Sequence, residues 1–330
     1  MTATFNFSQL SPDCILDALE AQGIFASSGL LALNSFENRV YQFLDDDRQR
    51  WVVKFYRPQR WSDAQIQEEH DFALELQDAE IPVVAPVALA GKTLHHHQGF
   101  RWTLYRSVGG HGVELADLDR LEQLGHYLGR LHNVGARQAF ASRPVLDAKS
   151  MLASSQAVLA DCELIPVDLQ RPLQAILAPL CQRTDEAFRQ HQASNIRLHG
   201  DCHAGNFLDG PAGLFMLDLD DALNGPAMQD LWMLLSGTTE EQTLQLEVLL
   251  DAYQQHRPLA LSELRLIRPL QALRQVRYLS WLAQRWQDPA FPRAFPWFAD
   301  GKYWEQQILT FKETLAALDE PPLQLSGGNR

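Results

Sequence analysis

The sequence has 330 residues, 46% of them apolar and 21% charged, a globular composition whose length suits two domains or one two-lobed fold. With 41 acidic against 28 basic residues the formal net charge is −13, which disfavours a nucleic-acid backbone as partner, because phosphate binding wants clustered Lys and Arg. No apolar run approaches the roughly 20 residues that span a bilayer, and the start, MTATFNFSQLSPD, has neither the basic end nor the apolar core of a signal peptide.

Taken in chain order, Ser11-Pro12-Asp13 caps a short predicted helix running to about Ala21. β-type runs follow at Gly29 to Leu33, Arg39 to Phe43 and Arg50 to Tyr56. The last two are joined across the acidic turn Asp45-Asp46-Asp47, as in an antiparallel hairpin. Pro58 ends the strand. From Ser62 to about Gln77, the apolar residues Ile66, Phe72, Ala73 and Leu76 recur as on a helix with one buried face. Val87 to Leu89 and Phe100 to Tyr105 read as two further strands, and His95-His96-His97 between them as a surface turn. From Val108 the pattern turns helical. Leu121, Leu124, Leu128 and Leu131 mark a helix from Leu118 to Val134, and further helices are predicted over Glu241 to Tyr253, Ile267 to Trp286 and Tyr303 to Leu318. Short apolar runs at Ile196 to Leu198 and Leu214 to Leu217 interrupt them. The pattern predicts an α+β fold of two lobes: a β-rich N-lobe over residues 1–107 and a mainly helical C-lobe over 108–330. Cys14, Cys162, Cys181 and Cys202 lie far apart without CxxC pairing, which points to reduced thiols and a cytoplasmic protein rather than a disulfide framework or zinc site.

The chemistry concentrates between Leu198 and Asp221, LHGDCHAGNFLDGPAGLFMLDLDD. Carboxylates this close repel one another, so something cationic belongs among them. In His199-Gly200-Asp201-x-His203-x-x-Asn206 an aspartate precedes an asparagine by five residues, and Asp218 ends the next apolar run. Protein-kinase catalytic loops use the same Asp-to-Asn interval, followed by an Asp on the next strand. Phosphoryl transfer needs a carboxylate to orient the attacking hydroxyl and accept its proton, which suits Asp201. It also needs hard oxygen ligands for Mg2+, which suits Asn206 and Asp218. Magnesium would then supply the positive charge. A metallohydrolase built on His199, Asp201 and His203 is the competing chemistry, but it leaves the first lobe unexplained.

HGDCHAGN with LDLDD resembles the phosphotransferase family of aminoglycoside, choline and homoserine kinases, which shares the protein-kinase fold. LNSFENRVYQF, VVKFYRP, EEHDFAL, DLDDALNGPAMQDLWMLL and DPAFPRAFPW extend the likeness over nearly the whole chain. They are similar to its bacterial stress-response protein-serine/threonine kinases. The resemblance implies ATP as co-substrate, Mg2+ as cofactor, and protein Ser/Thr hydroxyls, this chain's own included, as acceptors. The broader family implies a small-alcohol or antibiotic acceptor instead. It further implies that Lys54 contacts the α- and β-phosphates and that Glu69 pairs with it. The neighbouring Glu68 is the alternative, although Glu69 shares a helical face better with Phe72, Ala73 and Leu76. No GxGxxG covers the phosphates. The corresponding turn reads Asn34-Ser35-Phe36-Glu37-Asn38, where Ser35 either hydrogen-bonds phosphate or is an ordinary turn serine. Leu219-Asp220 replaces the Phe-Gly of protein kinases, and His199 is expected to brace the loop from within. A nucleotide-binding pseudokinase is the non-catalytic alternative. Against it, Lys54, Asp201, Asn206 and Asp218 are all present.

Overall fold

A computed structural model of the chain describes residues 5–191, 193–211 and 213–325. Its first part holds α1 (Pro12–Glu20), β1 (Leu31–Ala32), β2 (Arg39–Leu44), β3 (Arg50–Phe55), α2 (Asp63–Asp78), β4 (His95–His97), β5 (Phe100–Arg106) and β6 (His111–Gly112). There follow α3 (Leu118–Gly135), α4 (Ala148–Ala160), α5 (Val167–Gln190), β7 (Ile196–Leu198), β8 (Phe207–Gly210), β9 (Gly213–Met216) and β10 (Leu223–Gly225). The remainder is helical: α6 (Met228–Trp232), α7 (Thr239–Tyr253), α8 (Ile267–Arg285), α9 (Ala290–Ala294) and α10 (Gly301–Ala317). No helix among the described residues is long and apolar enough to cross a membrane.

The chain divides into two compact units. The first is made of Met1–Glu114, Asn133–Arg143 and His199–Ala222, the second of Leu115–His132, Pro144–Leu198 and Leu223–Arg330. In the first unit a five-stranded antiparallel sheet runs β1-β2-β3-β5-β4, with Lys54 opposite Val40 on one side and Thr103 on the other. Alternation along β3 decides where its side chains go. Trp51, Val53 and Phe55 join Phe43, Phe100, Trp102 and Leu104 in one core, closed by Cys14, Ile15, Ala18 and Leu19 of α1. Lys54 therefore emerges on the other face. α2 begins with a capping box, the Ser62 hydroxyl accepting from the Gln65 amide while the Gln65 side chain accepts from the Ser62 amide. Its buried residues, Ile66, Glu69, His70, Phe72, Ala73 and Leu76, follow the helical period and include two titratable groups. A second sheet, β6-β8-β9, completes the unit.

In the second unit, α4 and α5 pack with α8, and α10 with α5, while β7 pairs with β10. Asp230 is fully buried in α6, with Oδ2 3.1 Å from His132 Nε2. Trp304 is fully buried and donates its indole N–H to the Phe298 carbonyl at 2.9 Å, which makes it a core residue.

Two local expectations are corrected. His95–His97 is not a turn but the edge strand β4, paired with β5 through a two-residue turn in which Gln98 and Gly99 both have positive φ (46° and 85°). Such a turn matches the twist of a hairpin, and His95 packs on Trp102 with ring centroids 4.7 Å apart. Val87 to Leu89 is no strand: Val87 makes one ladder bond, to the Leu104 carbonyl at 2.7 Å, and the prolines at 82 and 86 have no N–H to extend it. α4 and α5 also form where the sequence pattern had singled out nothing. α5 carries Pro172 and Pro179 in its interior and still holds through the buried face Leu173, Leu177, Leu180, Cys181 and Thr184.

Candidate active site

Lys54 is almost wholly buried, and its ammonium lies 3.3 Å from Glu69 Oε1, 3.0 Å from Asp218 Oδ1 and 3.0 Å from Asp220 Oδ1. Burial works against the charge, but Asp218, Asp220 and Glu69 outweigh it and hold the Lys54 pKa well above its ordinary value. Glu69 is buried too, and burial raises its pKa although Lys54 pulls the other way. The Tyr56 hydroxyl donates to Glu69 at 3.2 Å and stands 2.8 Å from His70 Nε2, and His70 Nδ1 meets the Thr93 hydroxyl at 2.8 Å. A second row of polar side chains thus backs the ion pair. Glu68, one helical step away, faces elsewhere: its carboxylate accepts the backbone N–H groups of Ala141, Ser142 and Arg143 at 2.8–3.0 Å.

The loop after β7 is built around His199, which is fully buried. Its Nδ1 accepts the Asp201 N–H at 3.2 Å, so Nε2 carries the proton and donates to the Leu217 carbonyl at 2.8 Å. Gly200 sits at φ +86°, a conformation that favours glycine at this bend. The Asn206 side-chain amide donates to the Asp201 carbonyl at 2.8 Å, which leaves its oxygen to act as an acceptor, and the Leu217 N–H donates to the Asn206 carbonyl at 2.8 Å. The residue before Asp218 is thereby tied to Asn206. Asp218 is left-handed at φ +56°, and its side chain is half exposed. His203 Nδ1 accepts the Gly205 N–H at 3.0 Å, and its Nε2 lies 3.4 Å from Asp201 Oδ2.

No three His, Cys, Asp or Glu side chains among the described residues form a closed metal site. Asn206 offers an amide oxygen and Asp218 a half-exposed carboxylate, hard donors of the kind taken by Mg2+, which uses one or two protein carboxylates and completes its shell with phosphate and water. The donor set fits the cation.

The turn between β1 and β2 holds its shape without glycine. Asn38 is buried and its side chain accepts the Arg57 N–H at 3.0 Å. Arg57 donates to the carbonyls of Glu37 and Phe36 at 2.9 and 3.0 Å, and Arg39 to those of Phe36 and Asn38 at 3.3 Å. Ser35 lies partly exposed in this turn.

Two arginines that the sequence did not single out, Arg60 and Arg143, complete the site together with Asp220, whose role the motif left open. Asp220 is buried, with one oxygen at Lys54 and the other hydrogen-bonded to Arg60 Nη1. Burial alone would raise its pKa, yet Arg60, Lys54 and Arg143 hold it far below the usual carboxylate range. Arg60 also meets Asp221 Oδ1 at 2.6 Å and approaches Glu37 at 3.7 Å. Arg143, fully buried, reaches Glu69 and the backbone carbonyls of Gln65, Asp220 and Ala222. The positive charge expected from metal alone is thus supplied to Asp220 by the protein's own cations. Asp220, two residues beyond Asp218 in the motif, carried a sequence signal; a solitary arginine between Ser142 and Pro144 carries none.

A model of the phosphotransferase enzyme family matches residues 30–267 of this chain. The chain is 49% identical over 332 residues to the stress response kinase A of Escherichia coli strain K12, an alignment covering 98% of each. It is 50% identical over 324 residues to the serine/threonine protein kinase RdoA of Salmonella typhimurium strain LT2, again covering 98% of each. Among solved structures, the amicoumacin kinase hAmiN in complex with AMP-PNP, Ca2+ and Ami matches with a TM-score of 0.69 at 21% identity, over 89% of both chains. That last likeness is one of fold: a β-rich N-lobe and a mainly helical C-lobe of the protein-kinase type.

Proposed function

The chain belongs to the phosphotransferase enzyme family, and on that premise we propose that it is an ATP- and Mg2+-dependent protein-serine/threonine kinase of bacterial stress response, acting on protein hydroxyls including its own. One observation carries the reading: Lys54 is held within 3.3 Å of Glu69 and Asp218 in the unit that also contains the Asp201–Asn206 loop. Those are the parts phosphoryl transfer requires, since the protein contributes positioning and charge rather than covalent chemistry.

In this reading Lys54 turns from Asp218 and Asp220 to the α- and β-phosphates, while Glu69 keeps its ammonium aimed. The turn around Ser35, pinned by Arg57 and Arg39, covers the phosphates with backbone N–H groups and the Ser35 hydroxyl. Asp201 orients the acceptor hydroxyl and takes its proton, held in place by the His199 ring and the Asn206 amide. Asn206 and Asp218 would hold Mg2+, which would supply positive charge to the transferring phosphoryl group. Residues 1–107 form the nucleotide side, and residues 108–330 carry the catalytic loop, the metal ligands and the acceptor side. Four buried cysteines, none of them in a disulfide, suit a cytoplasmic location.

The test is γ-labelled ATP with Mg2+, a basic protein acceptor and a panel of small alcohols. Label is expected on protein serine or threonine, falling about a hundredfold or more in Asp201→Ala. Label on a small alcohol alone, or equal turnover by the variant, refutes the assignment.

A further inference from the structure

Arg143 is a buried cation of the first unit with contacts to several elements. Its side chain is fully excluded from solvent, and it enters the site from a segment that neither the β-rich sequence nor the catalytic loop contains. Nη1 lies 3.4 Å from Glu69 Oε2 and donates to the Gln65 carbonyl at 3.0 Å, one helical turn earlier on α2. Nε donates to the Ala222 carbonyl at 2.6 Å, and Nη2 to the Asp220 carbonyl. One planar fork therefore joins the helix that aims Lys54 to the turn that begins at Asp218. Its backbone is gripped as well, because Glu68 accepts the Arg143 N–H at 2.9 Å together with those of the two residues before it. Adjacent glutamates of α2 thus hold the two ends of one arginine. The guanidinium also stacks on Trp61, 4.7 Å from the ring centroid, and Arg60 stacks on the same indole at 4.9 Å. Only arginine satisfies this set: lysine can replace the charge but not three divergent N–H donors in a plane.

We infer that Arg143 is a positioning residue for phosphoryl transfer, locking Glu69 and the Asp218–Ala222 turn in mutual register. The inference rests on the kinase reading of the site and deepens it. Protein kinases commonly gain this register when activation-loop phosphorylation brings arginine–phosphate pairs into being. Here a buried arginine makes the corresponding contacts to carbonyls and a glutamate that are permanently present. The segment after Asp218 passes through a single turn of 3-10 helix, Leu219–Asp221, into β10. The enzyme is accordingly competent as synthesised, with no upstream kinase.

The experiment compares wild type, Arg143→Met and Arg143→Lys, each expressed with a phosphatase so that no phosphate is carried in. Activity is counted per folded molecule from thermal unfolding. Wild type is expected to turn over at once, without a lag. Both variants are expected to lose kcat by tenfold or more with KM for ATP within about threefold, because Arg143 acts on the orientation of Lys54 and Asp218 and touches no substrate. Arg143→Met combined with Glu69→Gln is expected to cost no more than the worse single change, since the two residues act as one unit. If Arg143→Met does not fold, Arg143→Lys decides alone by the same criterion. A kcat within twofold of wild type in a folded variant, or a wild type that needs prior phosphorylation, overturns the inference and leaves the kinase reading standing. A wild type without any phosphoryl transfer overturns both.

Discussion

Glu68 and Glu69 are neighbours in the chain with unrelated surroundings. One helical step of about 100° separates them. It is enough to send Glu69 to Lys54 and Tyr56, and Glu68 to three backbone amides. The two should therefore fail differently. Glu69→Gln removes the anion that aims Lys54, and kcat/KM for ATP is expected to fall about tenfold to a hundredfold, ~1.4 to 3 kcal/mol of transition-state stabilisation. Glu68→Gln keeps an acceptor oxygen, so its expected cost is about 1 kcal/mol of folding stability with ATP kinetics within threefold of wild type. Steady-state kinetics and urea unfolding of the pair separate the roles, and a kinetic loss in Glu68→Gln as large as that in Glu69→Gln would contradict the geometry.

At the scale of elements, β3 and α2 are placed by simple periods. Period two along β3 puts Val53 and Phe55 into the α1 core and Lys54 on the reverse face. The helical period of α2 brings Glu69 into the buried stripe of Ile66, Phe72, Ala73 and Leu76. The helix start matters because it fixes that phase. Ser62→Ala removes one half of the capping box, and a loss of about 1 kcal/mol in urea unfolding is expected, with the fold retained. A change below about 0.3 kcal/mol would mean that tertiary packing of the buried stripe alone sets the helix start. The hairpin of β4 and β5 shows the reverse case. Three consecutive histidines have no apolar alternation, and only the Gln98-Gly99 turn and the stacking of His95 on Trp102 make a strand of them.

On the scale of the whole molecule, the buried histidine beside the site ties stability to acidity. Burial, then the nearby charges of Lys54, Arg143 and His95, push the His70 pKa from its ordinary 6.5 down to about 3. His70 is therefore neutral when folded and protonated more readily when unfolded. Its contribution is complete above about pH 6.5 and is lost progressively as pH falls toward 3, on the order of 3–5 kcal/mol in total. Urea unfolding of wild type and His70→Gln between pH 7 and pH 4 should show the steeper decline in wild type; parallel declines would refute this. The grouping of Asp201, Asn206 and Asp218 was written in the sequence, because they lie within one loop and hairpin whose spacing survives folding unchanged. The β-rich start, the helical remainder and the alternation that turns Lys54 away from the core were readable for the same reason, each resting on a period of two or 3.6 residues. What only the tertiary structure decided is how the aspartates are compensated. Arg60, Arg143 and Asp220 come from three segments remote in the chain, and nothing in the neighbourhood of a single arginine records which carbonyls it will meet once water is excluded. Charge pairing in a buried site depends on distance and burial, and neither exists until the chain has folded.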